Sequence, residues 1–390
     1  MRRSSRDRTG TQRLRLLGAG IRDRLGGRHA RANARWGHLR PPPGRGRLVW
    51  VRAGADAASV HLGAELLAAL RNRRRDLRLV LTFEEEHRDL LRAHLAGVEN
   101  AGFGFGPCDL PRAVRRALAR LDPLGVIVAG APVPPRLAAE AARRGIHLVA
   151  YQADPPLRGG ETAAVYPVDR EQERAWRGRG PLAELAMPAD ASTLLLEAWV
   201  EPVLRALIRG AGAERTPWWV HGADVSAFVA AWRASPLAAD GVLFAGSPDG
   251  RNPLPGGAGR AISRWGREPL RAGTVVWVDD PRWIPAIAAA AAGAYLTAAE
   301  AWTMWQALAA GVPIALGPDL AARLRVRYED FEAIGTPVPG PEEALALWGR
   351  WREEPAQVRG LGDRARRRFW AERRRAAAVL DSLLDRVYDW

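Results

Sequence analysis

Two loops in this chain place carboxylates where a parallel sheet presents its ligands. "RLVWVRAGADAAS", residues 47–59, reads as a strand followed by a loop that carries Asp56, and "TVVWVDDPRW", residues 274–283, as a strand followed by Asp279 and Asp280. Ligands of open parallel sheets bind beyond the carboxyl ends of the strands, so both loops are candidate mouths. Asp56 is the candidate proton acceptor there. Ser59 stands close to His61, but no G-x-S-x-G elbow surrounds it, so a hydrolase triad is not indicated. "GFGFGPCD", from Gly102, has the spacing G-x-G-x-G without a third Gly opening a helix, which reads as a flexible strand-to-loop segment rather than a dinucleotide loop.

Composition removes further chemistries. All 58 basic residues are Arg, which excludes a Schiff-base lysine and a P-loop lysine. The single cysteine, Cys108, excludes an intramolecular disulfide and a multi-cysteine metal site. Seven His are scattered without an H-x-x-x-H or His/Cys grouping. Neither a metal nor a cofactor is expected.

The elements that must position these loops alternate. "RLVWVRAG", "LRLVLTF", "GVIVAG" and "GIHLVAYQ" read as strands, with helical stretches near residues 57–74, 84–96, 109–121 and 135–144. Continuous apolar strands alternating with helices imply a parallel sheet covered on both faces. Residues 152–214 break the rhythm and read as an interdomain connection with a helix from Ala191 to Arg209. "PWWVHG", "GVLFAG", "TVVWVDD", "GAYLTA" and "GVPIALG" then resume it. From Pro341 the pattern is helical: the Arg cluster from Arg364 to Arg375 reads as the solvated face of an amphipathic helix, with Val379, Leu380, Leu383, Leu384 and Val387 on the buried face.

The formal charge is +15, yet residues 1–47 hold fourteen Arg against Asp7 and Asp23. The basic footprint is therefore a tail, and specific nucleic-acid binding is not expected. Leu14, Leu17, Ile21 and Leu25 recur at helical spacing among Arg13, Arg15, Arg22 and Arg24, which suits a basic helix lying on anionic lipid. Gly18, Gly20, Gly26 and Gly27 suit a disordered tail instead, and both readings stand. No apolar run reaches membrane-spanning length, and no signal-peptide core is present.

Several segments resemble one family. "PCDLPRAVRRALARLDP", residues 107–123, is similar to the P-x-D-L-P-x-A-V-x-R-x-L run of the Kdo transferases of lipopolysaccharide synthesis, which move 3-deoxy-D-manno-octulosonic acid from CMP-Kdo to lipid A precursor. "RWGHLRPPPGRGRLVWVRA", "RLAAEAARRGIHLVAYQA" and "ISRWGREPL" also look like segments of that family. The resemblance covers most of residues 35–150 and, more loosely, 216–390. It implies an α/β fold of GT-B type, two Rossmann-like parallel-sheet domains facing across a cleft, and a C-terminal helix. The expected division is a basic tail or amphipathic helix over 1–46, an acceptor domain over 47–151, the connection over 152–214, and a nucleotide-sugar donor domain over 215–390. Implied partners are a CMP-sugar donor and a lipid A-type acceptor. The implied place is cytoplasmic, peripheral on the inner face of the bacterial inner membrane through the Arg-rich N-terminus.

The family's polar motifs are rewritten in this chain. Its H-A-x-S-V-G-E after the first strand, whose Glu is the base, is met by "RAGADAASV", so Ala58 or Ser59 falls near that Glu and Asp56 is left as the base. Its E-T-E-L-W-P is met by "AGAPVPP", which carries no acid. Its G-D-T-x-G-E-L turn is met by "DDPRWIP", which retains Asp280 but replaces amide donors with prolines. Its G-G-H-N-x-L-E-P-A-A-L-G-K-P-V is met by "EAWTMWQALAAGVPI": Trp302 and Thr303 fall on the His-Asn pair, and Gln306 falls on the Glu that would hold the donor ribose. Gln can bond a ribose hydroxyl without charge assistance. An active transferase would use Asp56 as base with Asp280, Glu300, Thr303 and Gln306 around a nucleotide. A catalytically degenerate paralogue, keeping the fold as a binding or scaffold protein, is the alternative.

Overall fold

The computed structural model describes residues 19, 22–95, 98–156, 162, 164–179, 200–209, 215–223, 225–248, 251–254, 259–266, 268–280, 283–298, 301–328 and 331–390. They divide into two compact units, Met1–Met187 with Ala378–Trp390, and Pro188–Ala377. Leu14, Leu17 and Ile21 of the N-terminal apolar pattern, and the first part of the helix expected from Ala191, lie outside the described residues.

In the first unit, helix α1 (His29–Arg35) precedes strand β1 (Leu48–Arg52). Helix α2 (Ala57–Arg73), β2 (Arg78–Phe83), α3 (Arg88–Leu95) and β3 (Ala101–Phe105) follow. Then come α4 (Pro111–Leu121), β4 (Pro123–Ala129), α5 (Pro135–Arg144), β5 (His147–Tyr151), β6 (Ala164–Tyr166) and α6 (Arg170–Trp176). The strands form one sheet in the order β3-β2-β1-β4-β5-β6, parallel throughout.

Local chemistry sets the helix boundaries. Asp56 accepts from the Ser59 amide at 2.8 Å and so starts α2, satisfying an orphan donor of the first turn. Pro111 and Pro135 begin α4 and α5, where a missing N–H costs nothing. Asp122 in the left-handed region at φ 45° ends α4 and turns the chain straight into β4. Strand β1 is buried along its whole length, as expected of a central strand with helices on both faces. The core joins Trp50, Val80, Val114, Leu118, Val126, Leu137, Leu148 and Trp176. Two indoles there keep their N–H satisfied: Trp50 donates to Thr82 Oγ1 at 2.8 Å and Trp176 to the Ala153 carbonyl at 2.7 Å.

Of two strands of this sheet, the sequence reading had one only as a strand-to-loop segment and missed the other. The "GFGF" run is the edge strand β3, paired with β2 from Ala101↔Leu79 to Phe105↔Phe83. Its alternate glycines hide the β pattern, because the ladder uses backbone groups that every residue supplies. Strand β6 has three residues, inside the stretch read as an interdomain connection, yet Val165 and Tyr166 are buried and pair on β5.

The second unit contains α7 (Val200–Ile208), β7 (Thr216–His221), α8 (Ser226–Ala234), β8 (Gly241–Gly246), β9 (Arg260–Ala261) and β10 (Val275–Trp277). It continues with α9 (Ile284–Ala290), β11 (Gly293–Leu296), α10 (Ala301–Ala310), β12 (Ile314–Leu316), α11 (Pro318–Arg327), β13 (Thr336–Pro337) and α12 (Pro341–Glu353). Its sheet runs β13-β12-β11-β7-β8-β10-β9, again parallel. Tryptophans dominate one side of it, where Trp218 stacks on Trp348 with ring centroids 4.7 Å apart.

Helix α13 (Pro355–Tyr388) ends the chain. The sequence reading kept all of 215–390 together, but residues 378–390 belong to the first unit. Arg73 of α2 meets Asp381 at 3.2 Å and Asp385 at 3.0 Å, and Trp390 stacks on His147 with centroids 5.3 Å apart. Gly125 of β4 makes that seat, since a Cβ there would lie inside the Trp390 ring. Among the described residues no helix is long and apolar enough to cross a membrane.

Candidate functional site

The carboxyl edge of the first sheet opens into a cavity of about 790 Å³. Residues after β1, β2, β3, β4 and β5 line it, with Arg31 and Arg35 of α1 on one side. Arg52 closes β1 and is buried; Nη1 donates to the Pro107 carbonyl at 2.9 Å and Nη2 to Glu84 Oε1 at 3.0 Å. Burial lowers its pKa, opposed first by the Glu84 carboxylate, and a guanidinium stays charged even so. Arg31 Nη2 donates to the Glu84 carbonyl at 3.1 Å, and its guanidinium carbon lies 5.2 Å from the Phe105 ring centroid. Arg35 pairs through Nε with Asp23 at 3.0 Å, while its carbonyl accepts from the Cys108 amide at 3.1 Å and from the Cys108 thiol at 2.8 Å. Burial pushes that thiol up, so it remains protonated at neutral pH.

Acids also face the cavity, and the chain's own donors occupy them. Asp109 accepts from the Arg136 and Leu137 amides, each at 3.1 Å, and so caps α5 from the preceding loop. Burial nevertheless holds its carboxyl above the usual range, against those amides and Arg52. Asp154 accepts from Gln172 Nε2 at 3.1 Å. Asp56 is exposed at the rim. Its Oδ1 takes the Ser59 amide at 2.8 Å and its Oδ2 lies 3.0 Å from the Ser59 hydroxyl, which also accepts from the Gly54 amide at 3.1 Å. With its carboxylates engaged, the cavity presents guanidinium donors: Arg31 Nε is buried and has no hydrogen-bond partner among the described residues. Prolines 107, 132, 134, 135, 155 and 156 add stiff apolar surface to the lining. The arrangement suits a ligand with an acidic head and an apolar body.

The two catalytic candidates of the sequence reading come together here with different standing. Asp56 faces the cavity; Ser59 is 1% exposed, and its hydroxyl braces the loop beneath. Composition and spacing did not single out Arg31, Arg35, Arg52, Glu84, Asp109 or Asp154. Asp109 sits inside the quoted "PCDLP" run, and a charged residue ending an apolar strand was a readable signal for Arg52.

At the corresponding edge of the second unit, several of the described residues hold one another. The Thr297 amide donates to the His221 carbonyl at 2.9 Å, and Gly222 lies so close that a Cβ would overlap the Thr297 hydroxyl. Asp279 accepts from the Ser263 amide at 3.2 Å and from the Ser263 hydroxyl, which ties the loop after β10 to the turn after β9. Asp280 is half-buried and its carbonyl accepts from the Trp283 amide at 3.1 Å. Thr303 and Gln306 share a face of α10 at i, i+3 spacing but are only 1% and 3% exposed. Glu300 lies outside the described residues. No grouping of three or more His, Cys, Asp or Glu able to hold a metal ion occurs among the described residues.

Residues 25–154 match the family described as 3-deoxy-D-manno-octulosonic-acid transferase (kdotransferase). No curated protein sequence matches the chain. A UGT transferase from Siraitia grosvenorii, solved in complex with UDP, is similar in structure at TM-score 0.56 and 13% identity, over 88% of this chain and 100% of that one. UDP-GlcNAc 2-epimerase from Neisseria meningitidis, bound to UDP-GlcNAc, reaches TM-score 0.56 at 8% identity, over 87% and 100% of the two chains. UGT2 from Phytolacca americana, complexed with UDP-2-fluoro-glucose and pterostilbene, reaches 0.52 at 10% identity, over 89% and 100%. At such identities the likeness shows the fold, which an epimerase and transferases share. The match to the 3-deoxy-D-manno-octulosonic-acid transferase family is thus confined to residues 25–154, a third of the chain, while the chain as a whole has a two-sheet α/β fold of GT-B type.

Proposed function

We propose that the protein is a glycosyltransferase that carries Kdo from CMP-Kdo to a lipid A-type acceptor. The first unit's cavity takes the anionic acceptor, and Asp56 acts as the base at its rim. The observation that carries this reading is the convergence of Arg31, Arg35 and Arg52 on a cavity of about 790 Å³ whose acids are already occupied. Guanidiniums bind phosphate and carboxylate in a bidentate manner, and both groups occur in such acceptors. The donor side would draw on Asp280, Glu300, Thr303 and Gln306 in the second unit, with α10 shifting to expose its two interior polar groups. Membrane contact would come from the N-terminus, where Leu25 is 85% exposed beside exposed Arg22, Arg24 and Arg28. That contact would hold the protein on the cytoplasmic face of the inner membrane.

The burial of Thr303 and Gln306 favours a second reading, a degenerate paralogue that binds the acceptor without transferring sugar. Titration calorimetry with CMP, and with UMP and UDP for comparison, followed by transfer assays with CMP-Kdo and lipid A precursor, separates the two. Selective CMP binding weakened by Gln306→Ala, together with product, supports transfer. Acceptor binding lost in Arg52→Ala, with no nucleotide bound at millimolar concentration, leaves the paralogue.

A further inference from the structure

The Arg-rich stretch of α13 has a feature that a merely solvated face does not require. Residues 364–375 hold seven Arg and one acid, Glu372. That acid is buried and faces Arg368 at 2.7 Å and Arg375 at 3.1 Å. Arg366 is taken by Asp363 at 2.7 Å and by the Ala310 carbonyl at 3.1 Å. Arg364, Arg367, Arg373 and Arg374 are exposed; Arg367 shares Asp363 with Arg366 at longer range, and no ion pair to an acid is seen for the other three among the described residues. In their midst Trp370 is 49% exposed, although most of the large aromatic residues of this chain are buried. The Arg373 guanidinium carbon sits 5.2 Å from its ring centroid.

Arg367, Trp370, Ala371 and Arg374 recur at i, i+3, i+4 and i+7, so one helix face carries guanidiniums on either side of an indole. We propose that this face of α13 docks on an anionic lipid surface, as a membrane contact independent of the N-terminal tail. An indole flanked by guanidiniums is suited to the headgroup level: the ring enters the boundary of the acyl region and the cations pair with lipid phosphates. Single-stranded nucleic acid is the competing polyanion, but its readers stack successive bases on several aromatic faces. Here Trp370 is the only exposed aromatic between residues 359 and 378; Phe369 packs against it in a T shape at 5.4 Å, and Arg373 lies over its ring.

The test is co-sedimentation of the full chain with phosphatidylcholine vesicles containing 30% phosphatidylglycerol, and with phosphatidylcholine alone, across a salt series. Anionic vesicles bind the protein and neutral ones do not. The triple variant Arg367→Ala, Arg373→Ala, Arg374→Ala loses on the order of 100-fold in partition, from about fivefold per basic residue, and its salt dependence flattens. Trp370→Ala weakens partition at every salt concentration and leaves the slope unchanged. All replaced side chains are exposed, and circular dichroism melts confirm that the variants fold. A charge-reversed tail, Arg22→Glu with Arg24→Glu, reports the N-terminal contact separately, so either contact can fail alone. Unchanged vesicle binding in both α13 variants overturns the proposal. So does loss of affinity for an RNA oligonucleotide in those variants while vesicle binding stays intact, which would assign the face to nucleic acid.

Discussion

Substitution can separate the cap that Asp56 forms from the base that we propose it to be. As the cap of α2 it accepts from the Ser59 amide, a bond that Asn can also make. Asp56→Ala should cost about 1 kcal/mol of stability in urea unfolding. Asp56→Asn should keep most of that stability while lowering transfer on the order of 100-fold or more, the scale of a lost general base. Equal transfer rates in Asp56→Asn and wild type would leave Asp56 a cap alone. Asp109 supports a prediction of pH dependence. Its carboxyl is pushed up by burial, so its protonated form is favoured by folding. The stability this provides is complete below the ordinary Asp value of about 3.9 and is lost as pH rises through the raised value. Asp109→Asn stays neutral, so its stability relative to wild type should improve as pH rises across that window. Urea titrations at several pH values would show it, and a constant difference would contradict it.

At the scale of elements, a single glycine and the chain's last residue form a lock. β4 passes beneath the Trp390 ring because Gly125 has no side chain, and Trp390 stacks on His147 with only 5° between the rings. Trp390→Ala should lower the stability of the first unit by at least about 0.5–1.5 kcal/mol, the worth of an aromatic pair beyond its buried area. Gly125→Val should expel the same ring. The double variant should then be less destabilised than the sum of the single changes, because both remove one contact. Additive effects in thermal melts would mean that the two residues act separately. The same reasoning explains the cavity: Asp109 caps α5 from the loop after β3, which brings the "PCDLP" turn against Arg52 and Arg35.

On the scale of the molecule, two units each carry a core of their own. Chains with separate cores depart from two-state unfolding. Scanning calorimetry should therefore give a total enthalpy larger than the van't Hoff value. Trp390→Ala should shift only the transition of the first unit, since residues 378–390 belong to it. A single two-state transition would show that the units unfold together. The concentration of Arg is also a property of this scale: residues 1–47 hold fourteen Arg and residues 364–375 of α13 seven, far more than the acids beside them, so association with polyanions should weaken steeply with salt.

The sequence alone determined the fold class, because continuous apolar strands alternating with helices can satisfy their backbone and bury both faces only in a covered parallel sheet. It also excluded lysine chemistry and disulfides, which depend on residue type alone. The "PCDLP" run was legible as family resemblance, and the comparison over residues 25–154 agrees with it. Tertiary structure decided everything that depends on distant partners. Strand β3 exists through its ladder to β2, and β6 through its pairing on β5. Arg31, Arg35 and Arg52 come from α1 and β1, and the acids beside them are occupied by loops and helices up to Gln172. Whether Gln306 faces solvent or the core is likewise absent from its helical spacing, because α10 is apolar nearly all round and only packing selects which side is covered.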